Sequence, residues 1–449
     1  MLNNTIVALS TPFMESAIAV IRLSGNDAID IVNKMFTKDL TNAKSQTIHY
    51  GYLKYNDEII DEVMVSVFRA PRTDTCENMV EIATHGSLII INKVISACVS
   101  LGASIAERGE FTKRAYLNGR IDLIQAESIN DIIHSDSEEA INIALSGLKG
   151  NVSSLVKNLK TQVEDVIGNM EVNIDYPEYY DIEVETNETI LPKVDKLLLD
   201  IDVILNEAKI GMLIKNGIKT AIIGKPNVGK SSLLNAFLGK NKAIVTNIPG
   251  TTRDIVEGRL NLGGITLNLV DTAGIRETDD IIEKIGVEKS ISKIDEADLI
   301  LFVFDGSRNI DDEDLKLLDL LKNKKYLKII NKNDLEQKLE QEYFDNAVMI
   351  NTFDENSITT LEKEILKFLN LEAITTNLSG LITNNRQIGK LKEALKDIEE
   401  ALYNIEDDAF IDFVEIPLKS AWMHLGEITG SVSNDDLLDE LFSKFCLGK

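Results

Sequence analysis

Eight residues, Gly224-Lys225-Pro226-Asn227-Val228-Gly229-Lys230-Ser231, constrain this chain more than any other stretch. They follow an apolar run, Thr220-Ala221-Ile222-Ile223, and lead into helix-like sequence beginning at Ser232. Glycines spaced in this way, closed by a lysine and a hydroxyl, predict a strand-loop-helix whose backbone N–H groups turn inward around phosphate oxygens. Lys230 then supplies a point charge to the β- and γ-phosphates, and the Ser231 hydroxyl is a ligand for Mg²⁺. The nucleotide contacts are expected at Asn227, Val228, Gly229, Lys230, Ser231 and Ser232.

Three further motifs follow in the order such a site needs. Asp271-Thr272-Ala273-Gly274 comes after the strand-like Leu267-Asn268-Leu269-Val270, which puts a carboxylate where it holds Mg²⁺ through water and a glycine amide near the γ-phosphate. Asn331-Lys332-Asn333-Asp334 follows an apolar run at 326–330, and a carboxylate at Asp334 accepts from both N1–H and the 2-amino group of guanine. Adenine offers no such pair, so ATP would leave a polar acceptor unpaired. The expected nucleotide is GTP. Between the phosphate loop and the Asp271 motif lies Thr246-Asn247-Ile248-Pro249-Gly250-Thr251-Thr252, with Thr252 assigned as the mobile Mg²⁺ ligand. A last base contact is expected near Ile350-Asn351-Thr352-Phe353, where Asn351 and Thr352 offer backbone amides to the guanine oxygen although the wording departs from the usual Ser-Ala-Lys.

Ile275 follows Gly274 at the place where Ras-like enzymes carry a glutamine that orients the attacking water. An isoleucine cannot do this. Hydrolysis then needs another water-positioner and another positive charge between the phosphates. A monovalent cation meets the second need. Asn227 offers a side-chain carbonyl to such an ion and residues 246–251 offer backbone oxygens, the alternative being that Asn227 is a plain turn residue. Glu283 is the carboxylate chosen to polarise water, against the alternative of a solvated acidic face.

Composition bounds the rest. A chain of 449 residues is long enough for about three domains. Three cysteines, Cys76, Cys98 and Cys446, make no disulfide framework, and the segment from Met1 to Met14 lacks a basic leader, so a reducing, cytoplasmic setting is expected. No apolar run approaches the ~20 residues needed to cross a bilayer. A net charge of −26 argues against coating nucleic acid or a membrane surface, so any RNA is met locally. Amphipathic spacing predicts one helix over 152–170, a second over 190–208, another over 388–402, and a helical run over 417–445. These flank a GTPase unit that reads as inserted. Residues 1–119 read as mixed α/β, with strands at 17–23, 63–68 and 79–83. There Arg22 and Glu81 are either a salt bridge or the ends of a polar pocket.

The chain ends in Phe445-Cys446-Leu447-Gly448-Lys449 and carries Leu425-Gly426-Glu427-Ile428-Thr429-Gly430, Gly109-Glu110-Phe111-Thr112-Lys113-Arg114-Ala115, Asp122-Leu123-Ile124-Gln125-Ala126-Glu127 and Glu81-Ile82-Ala83-Thr84-His85-Gly86. On these motifs it resembles the tRNA modification GTPase family MnmE (TrmE) along essentially its whole length. The resemblance implies a multidomain α/β plus all-α protein: a tetrahydrofolate-binding and dimerising α/β domain (1–119), a split helical bundle (120–213 and 371–449), and an inserted P-loop GTPase with a Ras-like doubly wound sheet (214–370). It implies folate contacts at Arg22, Glu81, Arg120 and Lys449, potassium ligands at Asn227, Thr246, Ile248 and Thr251, Mg²⁺ at Ser231 and Thr252, and a catalytic Glu283. Arg120 stands where the family often has lysine, and the family's Tyr-Thr-Gly-Glu-Asp is here Asp74-Thr75-Cys76-Glu77-Asn78.

The function so implied is that of a potassium-activated homodimeric GTPase. With an MnmG (GidA)-type FAD protein, in a heterotetramer, it would add an aminomethyl or carboxymethylaminomethyl group at C5 of the wobble uridine of certain tRNAs. The one-carbon unit would come from 5,10-methylene- or 5-formyl-tetrahydrofolate. Cys446, close to Lys444 and Lys449 in sequence, is either a partly activated thiol with a role in that modification or a small buried apolar residue. The alternative from another class is a GTP-dependent ribosome-assembly or interaction switch.

Overall fold

The computed structural model describes residues 4–175, 187–240, 256–262, 265–270, 297–322, 324–340, 345–369, 380–407, 409–432 and 435–448. The chain divides into two compact units, one of Met1–Ile133, Gly147–Leu198 and Gly389–Lys449, the other of His134–Ser146 and Leu199–Ile388. The first unit opens with β1 (Ile6–Leu9), β2 (Ser16–Ser24), α1 (Ala28–Asn33), β3 (Thr47–Tyr55), β4 (Glu58–Phe68), β5 (Met79–Gly86), α2 (Leu88–Ser100) and β6 (Ser104–Ile105). The strands form one sheet in the order β3-β4-β5-β2-β1-β6, antiparallel except for β1 beside β6. Along β2 the buried Ala19, Ile21 and Leu23 alternate with half-buried Val20 and Arg22, the period of two that a one-sided sheet imposes. Ile21, Leu23, Val65 and Ile82 share a core with Ile31, Val32 and Val94 from the two helices. Arg22 is paired in register with Glu81, so both stand on the opposite face.

Helices α3 (Glu110–Leu117), α4 (Leu123–His134), α5 (Glu138–Leu148), α6 (Asn151–Asp175) and α7 (Asn187–Asn216) follow. In the second unit β7 (Ile218–Ile223), α8 (Lys230–Lys240), β8 (Val256–Leu262), β9 (Ile265–Val270), β10 (Leu299–Asp305), α9 (Asp312–Leu320), β11 (Tyr326–Asn331), β12 (Ala347–Met349) and α10 (Glu355–Phe368) make a sheet in the order β12-β11-β10-β7-β9-β8. All neighbours are parallel except β8 beside β9. Every residue of β10 is buried, as expected of a parallel strand covered on both faces. The chain starts in the middle at β7, crosses to the edge strand β8, returns through β9 to the place beside β7, and fills the other side with β10, β11 and β12. The order therefore reverses between β7 and β10. Such a switch leaves a crevice outside the carboxyl ends of the two strands, where doubly wound sheets bind ligands.

The chain closes with α11 (Asn385–Glu406), α12 (Ile411–Thr429) and α13 (Asp435–Ser443). The helical run expected over 417–445 is therefore two helices. Gly430 caps α12 at φ +81, and a Cβ there would lie 2.6 Å from the Tyr116 hydroxyl, which donates to the Gly430 carbonyl at 2.7 Å. A glycine in the left-handed region is the usual stop for a helix. Within the first unit α6 buries Val152, Val156, Leu159, Val163, Val166 and Met170, and its Lys160 ammonium lies 4.2 Å from the Trp422 ring centroid of α12.

Arg114 on α3 is 1% exposed. It donates to Glu110 Oε1 at 2.8 Å, Glu77 Oε2 at 3.1 Å, the Asn4 carbonyl at 2.8 Å and Asn4 Oδ1 at 3.0 Å. A buried charge of this kind is tolerated because each donor edge has an acceptor. Arg114→Ala strands two carboxylates and is expected to destabilise the first unit by about 3–5 kcal/mol. Calorimetry would show this as a lower melting transition; an unchanged transition would contradict the network.

Candidate functional site

The phosphate loop leaves β7 at the switch point and enters α8, and its glycines are required by what surrounds them. Gly224 has φ +152, and a Cβ there would meet the Val303 carbonyl of β10 at 2.4 Å. Gly229 has φ +101, and a Cβ would lie 2.1 Å from Asn331 Nδ2. That amide, on a side chain 2% exposed, donates to the Val228 carbonyl at 3.0 Å. The loop is thus tied to the end of β11. Lys230 Nζ donates to the carbonyls of Gly224 and Lys225, each at 2.6 Å. Burial holds its pKa below the ordinary lysine value. A desolvated ammonium on neutral carbonyls gains from an anion that brings its own charge, so the loop fits a nucleotide phosphate.

Lys225, the second residue of the loop, turns away from it. Buried to 5% exposure, it pairs with Asp311 and, at 3.2 Å, with Asp314. Burial pulls its pKa down, but the hydrogen bonds to the two aspartates outweigh this and leave it raised. Asp311 is the N-cap of α9 in a capping box with Asp314, so the pair anchors the loop to that helix. Asn227 is exposed at φ +64, Val228 is buried, and Ser231 and Ser232 stand in the first turn of α8, exposed and half-buried.

The residues expected to read the base lie after β11. Lys332, at φ +64, donates to Asp305 Oδ2 at the end of β10 at 2.7 Å. Burial raises the Asp305 pKa, but the bonds from Lys332 and Ser307 overcome it and hold the carboxyl below its usual range. Asn333 N–H donates to the Ile350 carbonyl at 3.1 Å, which joins this loop to the one after β12, and Asp334 is exposed beside it. In that second loop Asn351 Oδ1 accepts from Phe353 N–H at 2.9 Å, Thr352 is buried, and the Phe353 side chain is exposed. Thr246, Asn247, Ile248, Pro249, Gly250, Thr251, Thr252, Asp271, Thr272, Ala273, Gly274, Ile275, Glu283 and Lys449 lie outside the described residues.

A second polar site stands on the first unit's sheet. Arg22 donates through Nε and Nη2 to Glu81 Oε1 at 2.9 and 2.7 Å, so these two form a salt bridge, and its guanidinium carbon lies 5.7 Å from the centre of the Phe111 ring. Arg120 Nη2 lies 2.8 Å from Asp74 Oδ1, and Arg22 Nη1 lies 3.4 Å from Asp74 Oδ2. Asp74, which sequence reasoning did not assign, thus links Arg120 to the Arg22–Glu81 pair. The signal was present, because Asp74 opens the loop that departs from the family wording. The chain end reaches the same sheet: Ser10 Oγ donates to the Gly448 carbonyl at 3.2 Å, and Gly109 N–H to that of Cys446 at 3.3 Å. Gly448 has φ +82, with the Leu9 carbonyl 2.2 Å from where a Cβ would stand. Cys446 is exposed, which removes the reading of it as a buried apolar residue.

The model of the MnmE helical domain matches residues 123–446, and that of the GTP-binding protein TrmE N-terminus matches residues 5–120. A tRNA modification GTPase MnmE of Bacillus licheniformis is 45% identical over 458 residues, covering 99% of this chain and 100% of the relative. One of Acholeplasma laidlawii is 48% identical over 447 residues, 99% of each chain. One of Bacillus subtilis is 44% identical over 458 residues, with 99% and 100% covered.

The packing of Gly229 against Asn331 yields a direct test. Gly229→Ala forces a side chain onto a buried amide at a backbone angle that only glycine adopts freely. Its affinity for GTP, titrated with a fluorescent analogue, is expected to fall by roughly a hundredfold or more, about 3 kcal/mol. Wild-type affinity would show that the approach of these residues is not needed.

Proposed function

The chain belongs to the tRNA modification GTPase MnmE family, and on that footing we propose that it hydrolyses GTP in the service of tRNA modification. The observation that carries the hydrolase reading is Lys230, desolvated and held by carbonyls of its own loop at the head of the switch-point crevice. Phosphate oxygens would replace those carbonyls. The loop amides would then orient the phosphates, and the Ser231 hydroxyl would face Mg²⁺, which supplies charge neutralisation between the β- and γ-phosphates. Asp334 would select guanine.

We further propose that a potassium ion, with Asn227, Thr246, Ile248 and Thr251 as its ligands, supplies the positive charge that no Ras-like residue provides, and that Glu283 positions the water. The assignments of Arg22, Glu81, Arg120 and Lys449 to a tetrahydrofolate, of Cys446 to the modification chemistry, and of an MnmG-type flavoprotein as partner of a cytoplasmic homodimer belong to the same proposal. So does the domain division at residues 119, 213 and 370. What supports the folate assignment is that Arg22, Glu81 and Arg120 meet on one sheet face with the Gly448 carbonyl pinned to the Ser10 hydroxyl in the same unit. GTP hydrolysis in this reading drives closing and opening rather than the carbon chemistry.

Mass spectrometry of tRNA from a strain lacking the protein is expected to show wobble uridines without their C5 substituent; intact substituents would leave an interaction switch as the better reading. Purified protein is expected to turn over GTP roughly ten- to a hundredfold faster in potassium than in sodium, the scale of losing one charge-stabilising contact. Equal rates would remove the cation.

A further inference from the structure

Asp74 is placed so that each of its carboxylate oxygens serves a different arginine. Oδ1 lies 2.8 Å from Arg120 Nη2, and Oδ2 lies 3.4 Å from Arg22 Nη1. Glu81 takes the Nε and Nη2 donors of Arg22, so the edge of that guanidinium left for an anion is the one Asp74 holds. The loop that carries Asp74 is fixed on both sides of it. Asn118 Nδ2 donates to the Thr75 carbonyl at 2.7 Å, Ser24 Oγ and Thr75 Oγ1 are 2.6 Å apart, and Thr73 Oγ1 donates to the Glu77 carbonyl at 2.7 Å. Among these described residues two arginines and two carboxylates therefore cancel, and an incoming anion meets an arginine pair whose charge is already balanced. The Asp74 side chain is nevertheless 46% exposed and that of Arg120 33%. An ion pair so open to water contributes little and exchanges readily.

We propose that Asp74 is a built-in counter-anion for the Arg22–Arg120 pair, which an anionic ligand must displace, and that it thereby sets the affinity and anion selectivity of this site. The inference rests on the folate reading only for the identity of the ligand. A carboxylate-bearing folate exchanges one arginine-bound carboxylate for another, so its net gain is small while Asp74 is present. Asp74→Asn keeps the shape of the loop and removes the competing charge.

The test is titration of wild-type protein and Asp74→Asn with 5-formyl-tetrahydrofolate, repeated with Asp74→Ser. Removing the competitor is expected to tighten binding by about three- to tenfold, the scale of one exposed ion pair, and to make it more sensitive to salt. Unchanged or weaker binding in both variants overturns the proposal, weaker binding meaning that Asp74 accepts a hydrogen bond from the ligand itself. A second arm uses inorganic phosphate and the melting temperature of each protein. Phosphate is expected to stabilise both variants more than wild type, and equal shifts overturn the proposal. If neither wild type nor variants bind the folate, the folate reading fails and the phosphate arm alone decides the role of Asp74.

Discussion

The carboxamide of Asn331 is buried at the end of β11 and donates to the Val228 carbonyl in the loop after β7, and the nucleotide site depends on that bond. It can form only because Gly229 has no side chain: the amide occupies the space a Cβ would need. It also joins two motifs that lie far apart in sequence, the phosphate loop and the turn after β11. The two strands are separated by β10, whose carboxyl end presents Asp305 to Lys332 and whose Val303 carbonyl crowds Gly224. Three parallel strands thus end on one crevice, and each contributes a polar group that locks its neighbour's loop. The Asn331 Oδ1 atom is itself buried without a hydrogen-bond partner, so the network rests on the amide N–H edge of that side chain.

Much of this was legible in the sequence. The loop at 224–231, the strand before it and the helix after it follow from glycine spacing and an apolar run, and the β11 motif follows from an apolar run ending in Asn331. The amphipathic stripes gave α6 and α7, because a period of 3.6 survives any tertiary arrangement. The break at Gly430 was harder to read. Apolar residues continue on both sides of it, and only the left-handed backbone, with Tyr116 against the glycine, shows that the chain turns. Short strands such as β6, two residues long, leave no periodic trace.

Partners were the least legible part. Arg22 and Glu81 read as a salt bridge ahead of the ends of a polar pocket, and the bridge forms because antiparallel pairing puts them opposite each other on β2 and β5. Asp74 was marked only by the departure of its loop from the family wording, and the partners of Lys225 carried no readable signal. A lysine in a phosphate loop suggests a phosphate ligand, yet Lys225 is drawn to the capping box of α9, nearly ninety residues on in sequence. Long-range electrostatics of this kind depends on which loops meet, and local pattern does not encode it.

The chain carries 73 acidic against 47 basic residues, and its described sites bear the mark of that excess. Lys225 sits on Asp311 and Asp314, Lys332 on Asp305, Arg114 on Glu77 and Glu110, and Arg22 and Arg120 share Asp74. Lys230 differs, for its described partners are carbonyl oxygens. This difference sorts the cations by use. One held on carbonyls gains a full ion pair when a phosphate arrives, whereas one held on a carboxylate gains only the difference between two ion pairs. An acidic protein cannot gather anionic ligands by its overall field. It must recognise them at short range, and the loop at 224–231 is suited to this, its lysine desolvated and uncommitted to any carboxylate among the described residues.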